Sequence, residues 1–322
     1  MITVIIVRGL GMPKTKIVMF ISLMVLLVAL PLLGACTKEV PVDRVVEKQV
    51  IKEVPVEKVV IQKVPVTTLR FTSDYPLGTV VSNAEILFMD EVKKNSNGLI
   101  DFLHFPAAAL YKSKAHFAAL QQGSIEAYHT IPIFATSELP ILEFTGLPFQ
   151  FADDAHTLRA VKGDWGKEMV KFGEEHFTNI KVLGWGSSGA AYAVGNGKPL
   201  LVPSDAEGRP MRTGGKANSL FFEIAGATVI QMSSSELAMA FERGTVEATI
   251  TSIDRIANQF AGLVEWVAVV PWVATSVTWM MMNRDDFNAL TPELQKVVVE
   301  AAKVAQDWSF AEGEKLNKAN VA

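Results

Sequence analysis

The chain has 322 residues, 49% of them hydrophobic, with 30 basic and 34 acidic side chains and a single cysteine. Residues 67–322 carry 21 basic and 29 acidic groups, a net of −8, and no cysteine. That excludes disulfides, thiolate metal sites and a cysteine nucleophile from this part, and it argues against a nucleic-acid partner, whose phosphates demand a basic surface. The length suffices for one large domain or two lobes resting on an apolar core alone.

At the start of the chain, Lys14 and Lys16 precede an apolar run from Ile17 to Leu33, interrupted by Ser22 and Pro31, and Leu33-Gly34-Ala35-Cys36 closes it. A basic start, an apolar core and small residues at the end are the parts of an export signal. The small residues admit a peptidase to the backbone, and the Cys36 thiol can carry a lipid. These four residues resemble the lipobox of bacterial lipoproteins, so residues 1–36 are read as a lipoprotein signal peptide and Cys36 as the lipid attachment that ties the protein to its membrane. The alternative is a single membrane anchor with an incidental cysteine, for which a run of roughly 17 residues is at the lower limit. Met12 serves as a start as well as Met1, since the first 11 residues add nothing a signal needs.

Residues 37–66 repeat Val-Pro-Val at 40–42, 54–56 and 64–66 among valines, lysines and glutamates. The prolines break helices and central strands, and the unequal spacing rules out a strict solenoid. This stretch reads as a semi-extended tether, with a coiled or β assembly of its valines as the other option.

Beyond it, Leu69 to Thr72 reads as a strand entering the loop Ser73-Asp74-Tyr75-Pro76-Leu77-Gly78. Leu87, Phe88 and Val92 then keep helical spacing until Asn97-Gly98. A strand from Leu99 to Phe105, a helix from Lys114 to Gln122 ending at Gly123, a proline-punctuated stretch over 131–148, one helix from Ala155 to Glu175 and a strand from Ile180 to Trp185 follow. The second half predicts strands at Met211–Thr213, Thr228–Gln231, Glu247–Thr251, Val264–Val270 and Ser276–Met282, with a short helix over Ser219–Ala225. Ser233 and Glu236 have capping-box spacing before a helix that Gly244 closes. Thr291-Pro292-Glu293 opens a last helix, whose stripe of Leu294, Val297, Val298, Ala301, Ala305 and Trp308 meets no stop signal before Ala322. The sequence therefore reads as truncated within or just after that helix. Alternating strands and helices point to an α/β fold.

Catalytic and metal motifs are missing. The five histidines are scattered and none has HExxH spacing; His104 and His129 read as packed or edge residues. Gly184 to Gly189 does not fit G-x-S-x-G, and Thr213-Gly214-Gly215-Lys216 lacks the approach of a phosphate loop. No catalytic residue, metal ligand or cofactor is expected. Arg212 stands out: it lies on or just after a strand and is followed by two glycines that let backbone come close. A guanidinium there can meet a carboxylate through two parallel hydrogen bonds; a surface ion pair is the alternative.

The order and spacing of Glu207-Gly208-Arg209-Pro210-Met211-Arg212, Gly226-Ala227-Thr228, Ser235-Glu236-Leu237 and Gly244-Thr245-Val246-Glu247 resemble the DctP-type solute-binding proteins of tripartite ATP-independent periplasmic (TRAP) transporters. Phe105-Pro106-Ala107, Leu147-Pro148-Phe149 and Leu290-Thr291-Pro292-Glu293 add to the likeness, which runs from Leu69 to about Lys318. The resemblance implies a two-lobed, periplasmic-binding-protein-like α/β fold with crossing strands and a long hinge-spanning helix. Lobe I would comprise 67–188 with 277–316, and lobe II 189–276 with 317–322. It implies an extracytoplasmic, non-enzymatic receptor that closes over a small organic acid and hands it to the membrane permease. A sensory binding protein, or a secreted enzyme on the same fold, is the alternative.

Under the resemblance, Arg212 matches the arginine that pairs with the ligand carboxylate, and Asp74 and Tyr75 match pocket-lining positions. The chain also departs from the pattern. Ala191 stands where many members have a second arginine, Thr251 where the family has an asparagine, and Ser234 where it has an aromatic. With fewer cations and with Trp185 at a strand end, a monocarboxylate with an apolar or aromatic body is expected, unless Trp185 belongs to the core.

Overall fold

The computed structural model describes residues 4–6 and 66–321, apart from 269–271 and 274. Cys36, the apolar run before it and the tether up to residue 65 lie outside the described residues. The strands are β1 Val4–Ile6, β2 Thr67–Ser73, β3 Ile100–Phe105, β4 Ala127–Thr130, β5 Ile180–Ser187, β6 Ala191–Gly195, β7 Pro210–Thr213, β8 Thr228–Gln231, β9 Ala248–Ser252, β10 Trp266–Ala268 and β11 Val277–Asn283. They build two mixed sheets, one in the order β3-β2-β4-β11-β5 and one in the order β1-β10-β6-β9-β7-β8. The edge strand β1 comes from the segment read as a leader and runs antiparallel to β10.

The five-stranded sheet is covered on both faces, which is why β11 reads as a continuous apolar run. All seven of its residues are buried, and their side chains alternate between two cores. Val277, Trp279 and Met281 join Phe117, Tyr128 and Trp185, whereas Met280 and Met282 join Phe71, Phe88 and the last helix. That helix, Pro292–Val321, spans about 45 Å at 1.5 Å per residue. Val298, Ala301, Ala302 and Ala305 are its buried stripe, and the alanines let it lie close to helix Val80–Asn95 and to β5. Among the described residues no helix is long and apolar enough to cross a membrane.

The chain passes between the sheets at Ser188-Gly189-Ala190, from β5 into β6, and returns from Val273 into β11. The two passages are bonded together: Ser188 N donates to Ser276 O (2.9 Å), Ser276 N to Gly189 O (2.8 Å), and Ala191 pairs with Val273. The last helix seals this crossover. Ala190 N donates to Asn317 Oδ1 at 2.8 Å, and Asn317 Nδ2 donates in turn to the Asp154 carboxylate. Gly313 permits the approach, since a Cβ there would stand 2.6 Å from Ser187 Oγ. The expected two α/β lobes, crossing strands and long helix are all present.

Four expectations need correcting. The helix expected over Ala155–Glu175 is two helices, Asp154–Lys162 and Asp164–His176, separated at the extended Gly163. The second starts so close to the first that a Cβ on Gly166 would sit 2.0 Å from Val161 O. Strands β4 and β6 were not anticipated: each is buried at every position and gives no alternating pattern. The short helix over Ser219–Ala225 begins earlier and spans Lys216–Ile224. Of the strand expected over Val264–Val270, Trp266–Ala268 forms, while 269 and 270 lie outside the described residues.

Candidate functional site

In the six-stranded sheet β7 runs parallel to both β8 and β9, and in the five-stranded sheet β2 runs parallel to β3 and β4. Segments leaving the carboxyl ends of such strands form the crevice where α/β proteins hold ligands. A cavity, part of it open to solvent, lies there. Ile131, Ile133 and Phe134, which follow β4, form an apolar wall, and Arg212, Ser234, Thr251 and Arg255 face it from the other lobe. A roomier groove bordered by Phe149, Leu200, Phe221 and Trp272 carries no charged side chain and has nothing to fix an acid's orientation.

Arg212 comes from β7 and is 4% exposed. The chain leaving β8 turns its Met232 carbonyl onto the guanidinium, accepting from Nε at 3.2 Å and Nη2 at 2.8 Å, while Ser234 Oγ accepts from Nη2 at 3.3 Å. The capping box holds that turn, with Ser233 N donating to Glu236 Oε2 at 3.1 Å. Gly214 keeps the space beside the guanidinium narrow yet open, because a Cβ there would lie 3.3 Å from Phe134 and 3.4 Å from Arg212 Nη2. Burial, with Arg255 nearby as the second cause, lowers Arg212 to about 9, so it remains a cation at neutral pH. Among the described residues it has no ion-pair partner; a surface ion pair does not account for it.

Ser234 and Thr251 line the same cavity, and so does Ala191. The other expected residues stand elsewhere. Trp185 is 5% exposed and packs in the core between Trp165 and Trp279, both at 5.5 Å between ring centroids. Asp74 is buried among hydroxyls, accepting from Tyr128 at 2.7 Å and from Thr130. Tyr75 is buried beside His129. Neither is among the residues lining the cavity. His129 and His104 flank the fully buried Glu85 at 3.2 and 2.9 Å, in keeping with packed histidines.

Arg255 was missed. It follows β9 in the helical turn Ile253–Arg255 and is 3% exposed. Its Nε and Nη2 donate to Gln259 Oε1 at 3.0 and 2.7 Å, and Nη2 also donates to Ser234 O at 3.2 Å. Its guanidinium lies 5.8 Å from the centres of the Tyr75 and Phe260 rings. Burial lowers its pKa, opposed by Tyr75, Asp74 and Asp254. The spacing Arg255-x-x-x-Gln259 on one helical face was the available signal, but an arginine–glutamine pair is too common to mark a site. Two guanidiniums, those of Arg212 and Arg255, therefore line the cavity, while Ala191 contributes no charge there.

No aspartate, glutamate, histidine, cysteine or lysine is among the side chains lining the cavity. The lining thus offers guanidinium and hydroxyl donors against apolar walls, without a general base or a nucleophile activated by one. Such a surface is suited to holding an anion. Ser252 Oγ and Asn218 Oδ1, on residues that line the cavity, have no hydrogen-bond partner among the described residues. Buried polar atoms of this kind are ordinarily satisfied.

A model of the bacterial extracellular solute-binding protein family 7, DctP, matches residues 72–322. A solute-binding protein of Albidiferax ferrireducens is 25% identical over 263 residues, covering 74% of this chain and 75% of its own length. The 2,3-diketo-L-gulonate-binding periplasmic protein YiaO of Escherichia coli is 23% identical over 222 residues, covering 69% and 67%. Among solved structures, a TRAP periplasmic solute-binding protein from Desulfovibrio salexigens with bound orotic acid shares the fold with a TM-score of 0.73. It is 21% identical, over 78% of this chain and 81% of that one.

Proposed function

Because the chain belongs to the bacterial extracellular solute-binding proteins of family 7, we propose that it is the extracytoplasmic receptor of a TRAP transporter, capturing a small organic acid for the membrane permease. One observation carries the ligand class: Arg212 is a buried cation held only by neutral acceptors, in a cavity whose lining contains no carboxylate. A buried guanidinium in that state favours an anion strongly, since pairing offsets its desolvation. The two relatives named for a ligand agree, one binding 2,3-diketo-L-gulonate and the other holding orotic acid.

Arg212 fixes the carboxylate from the six-stranded lobe, and the wall formed by Ile131 to Phe134 covers the ligand from the five-stranded lobe. Contacts from both sides exist together only when the lobes are closed, so binding shifts the population toward closure. We place lobe I at 67–188 with 277–316 and lobe II at 189–276 with 317–322, a division supported by the crossover at 188–190 and 273–276. The site binds and releases its ligand unchanged. A lipid on Cys36 and the tether behind it would hold the receptor near the permease. Membrane fractionation of Cys36→Ser tests the anchor: release into the soluble fraction supports it, and retention refutes it.

Native mass spectrometry of the purified protein tests the ligand class. The expected result is a bound small acid, displaced by excess carboxylates. Retention of an uncharged or cationic solute at the same site would overturn the reading.

A further inference from the structure

Resting on the receptor role above, we infer that Gly214-Gly215 is the seat on which the two lobes close, and that Ile133 and Phe134 are what it receives. The pair follows β7 and opens helix Lys216–Ile224. Its partners follow β4 of the other sheet, on the short 3-10 helix Pro132–Ala135. A Cβ on Gly214 would lie 3.3 Å from Phe134 Cε1 and 3.5 Å from Ile133 Cδ1. One on Gly215 would lie 3.5 Å from Ile133 Cβ and 3.2 Å from Glu143 Oε2. The apolar wall of one lobe therefore rests on bare backbone of the other. Gly146 backs Ile133 from its own lobe, where a Cβ would come within 2.9 Å of Ile133 Cγ2. Held from behind, Ile133 has no room to retreat from the seat.

Backbone geometry does not ask for these glycines. Neither has a positive φ, and Gly215, at φ −130° and ψ 165°, is extended as any residue can be. Local energetics even argue against one of them. Gly215 is the N-cap of its helix, a position where serine or aspartate would supply an acceptor. With no side-chain cap of its own, the helix takes its acceptor from Glu143 of the opposite lobe, at Lys216 N and Ala217 N. What glycine contributes is the absence of volume, at a surface where added volume would hold the lobes apart. Overpacking such a contact opposes closure, and apparent affinity scales with the fraction of protein able to close. Gly215 is not among the residues lining the cavity, so its effect is independent of the ligand's chemistry.

Calorimetry and thermal melts on the full chain test this, with the acid carried by the purified protein, orotate and 2,3-diketo-L-gulonate as probes. Gly215→Ser and the bulkier Gly215→Thr are expected to keep or raise the unfolding temperature of the ligand-free protein. Both should weaken every acid that binds the wild type by a common factor, about five- to a hundredfold and larger for threonine. Ile133→Ala, which alone loosens the wall and weakens binding, should instead strengthen it in the Gly215→Thr background. Unaltered affinity in both Gly215 variants overturns the seat and leaves carboxylate capture standing. So does a lowered unfolding temperature in both, which would place the need for glycine inside one lobe. A threonine variant that Ile133→Ala weakens further has the same consequence. If no acid binds the wild type, both readings fall.

Discussion

Asp254, from the six-stranded lobe, accepts a 2.7 Å hydrogen bond from the backbone N–H of Val80, the first residue of a 16-residue helix in the five-stranded lobe. Its carboxylate thus lies at the positive end of that helix, where Thr79 already serves Ser82 N. The arrangement is reciprocated. Glu143, from the five-stranded lobe, accepts from Lys216 N and Ala217 N at 2.8 and 2.9 Å, at the start of helix Lys216–Ile224, whose own cap residue Gly215 supplies no side chain.

Asp254 makes stability depend on pH. Burial raises its carboxyl from 3.8 to about 6, so the folded state holds this proton more tightly than the unfolded state. The stabilisation is complete below about pH 4 and is lost as pH rises through about 6. Asp254→Asn keeps an acceptor for Val80 without the titration. Its unfolding temperature relative to wild type should rise across that window and level off above it. A constant difference from pH 3.5 to 7.5 in parallel thermal melts would contradict this.

Glu143→Gln should weaken closure with little effect on either lobe. Loss of a charged cap is worth roughly 0.5–2 kcal/mol, so affinity for the acid found bound to the purified protein should fall about two- to thirtyfold in calorimetry. Unaltered affinity would mean that this contact forms independently of the ligand. The exposed pair Lys112–Glu236, at 2.6 Å, should matter far less, because solvent screens it.

Arg212→Ala should reduce acid affinity by at least about a hundredfold, taking roughly 1.5–3 kcal/mol for each of two charged hydrogen bonds. The ligand-free protein should remain folded, since the buried charge removed opposes folding. Calorimetry and a thermal melt read the two effects separately; intact binding would move the site elsewhere.

Trp185→Ala should produce the opposite pattern. Removing a ring packed between Trp165 and Trp279 costs roughly 3–5 kcal/mol of stability. Binding by the fraction that remains folded should be unaltered. Reduced affinity at full stability would return Trp185 to the binding site.

The sequence reveals most where one local rule decides the structure. The capping box at Ser233 and Glu236, the proline-opened helix Pro292–Val321 and the buried strand at β11 all formed as their patterns require. It falls short where tertiary contacts decide. Strand β6, Ala-Tyr-Ala-Val-Gly, is covered on both faces and offers no alternation. The break at Gly163 depends on how closely Gly166 approaches the preceding helix. At the site, Arg212 was legible because a strand and two glycines flank it. Arg255 was not: its place beside Arg212 is set by β9 lying next to β7 in the sheet, although the two arginines are 43 positions apart along the chain. Trp185 misled because a strand end is either a pocket rim or a core layer, depending on what packs above it.

The paired helix-end contacts constrain an angle as well as a distance. One such contact would leave the two lobes free to swivel about it like a ball joint. Two, at separate points and with donor and acceptor roles exchanged, define a line about which little rotation is left. A solute too large for the cavity would have to break both together, and one too small would not draw them together. Selectivity by size can therefore be enforced outside the cavity, by side chains that never touch the ligand.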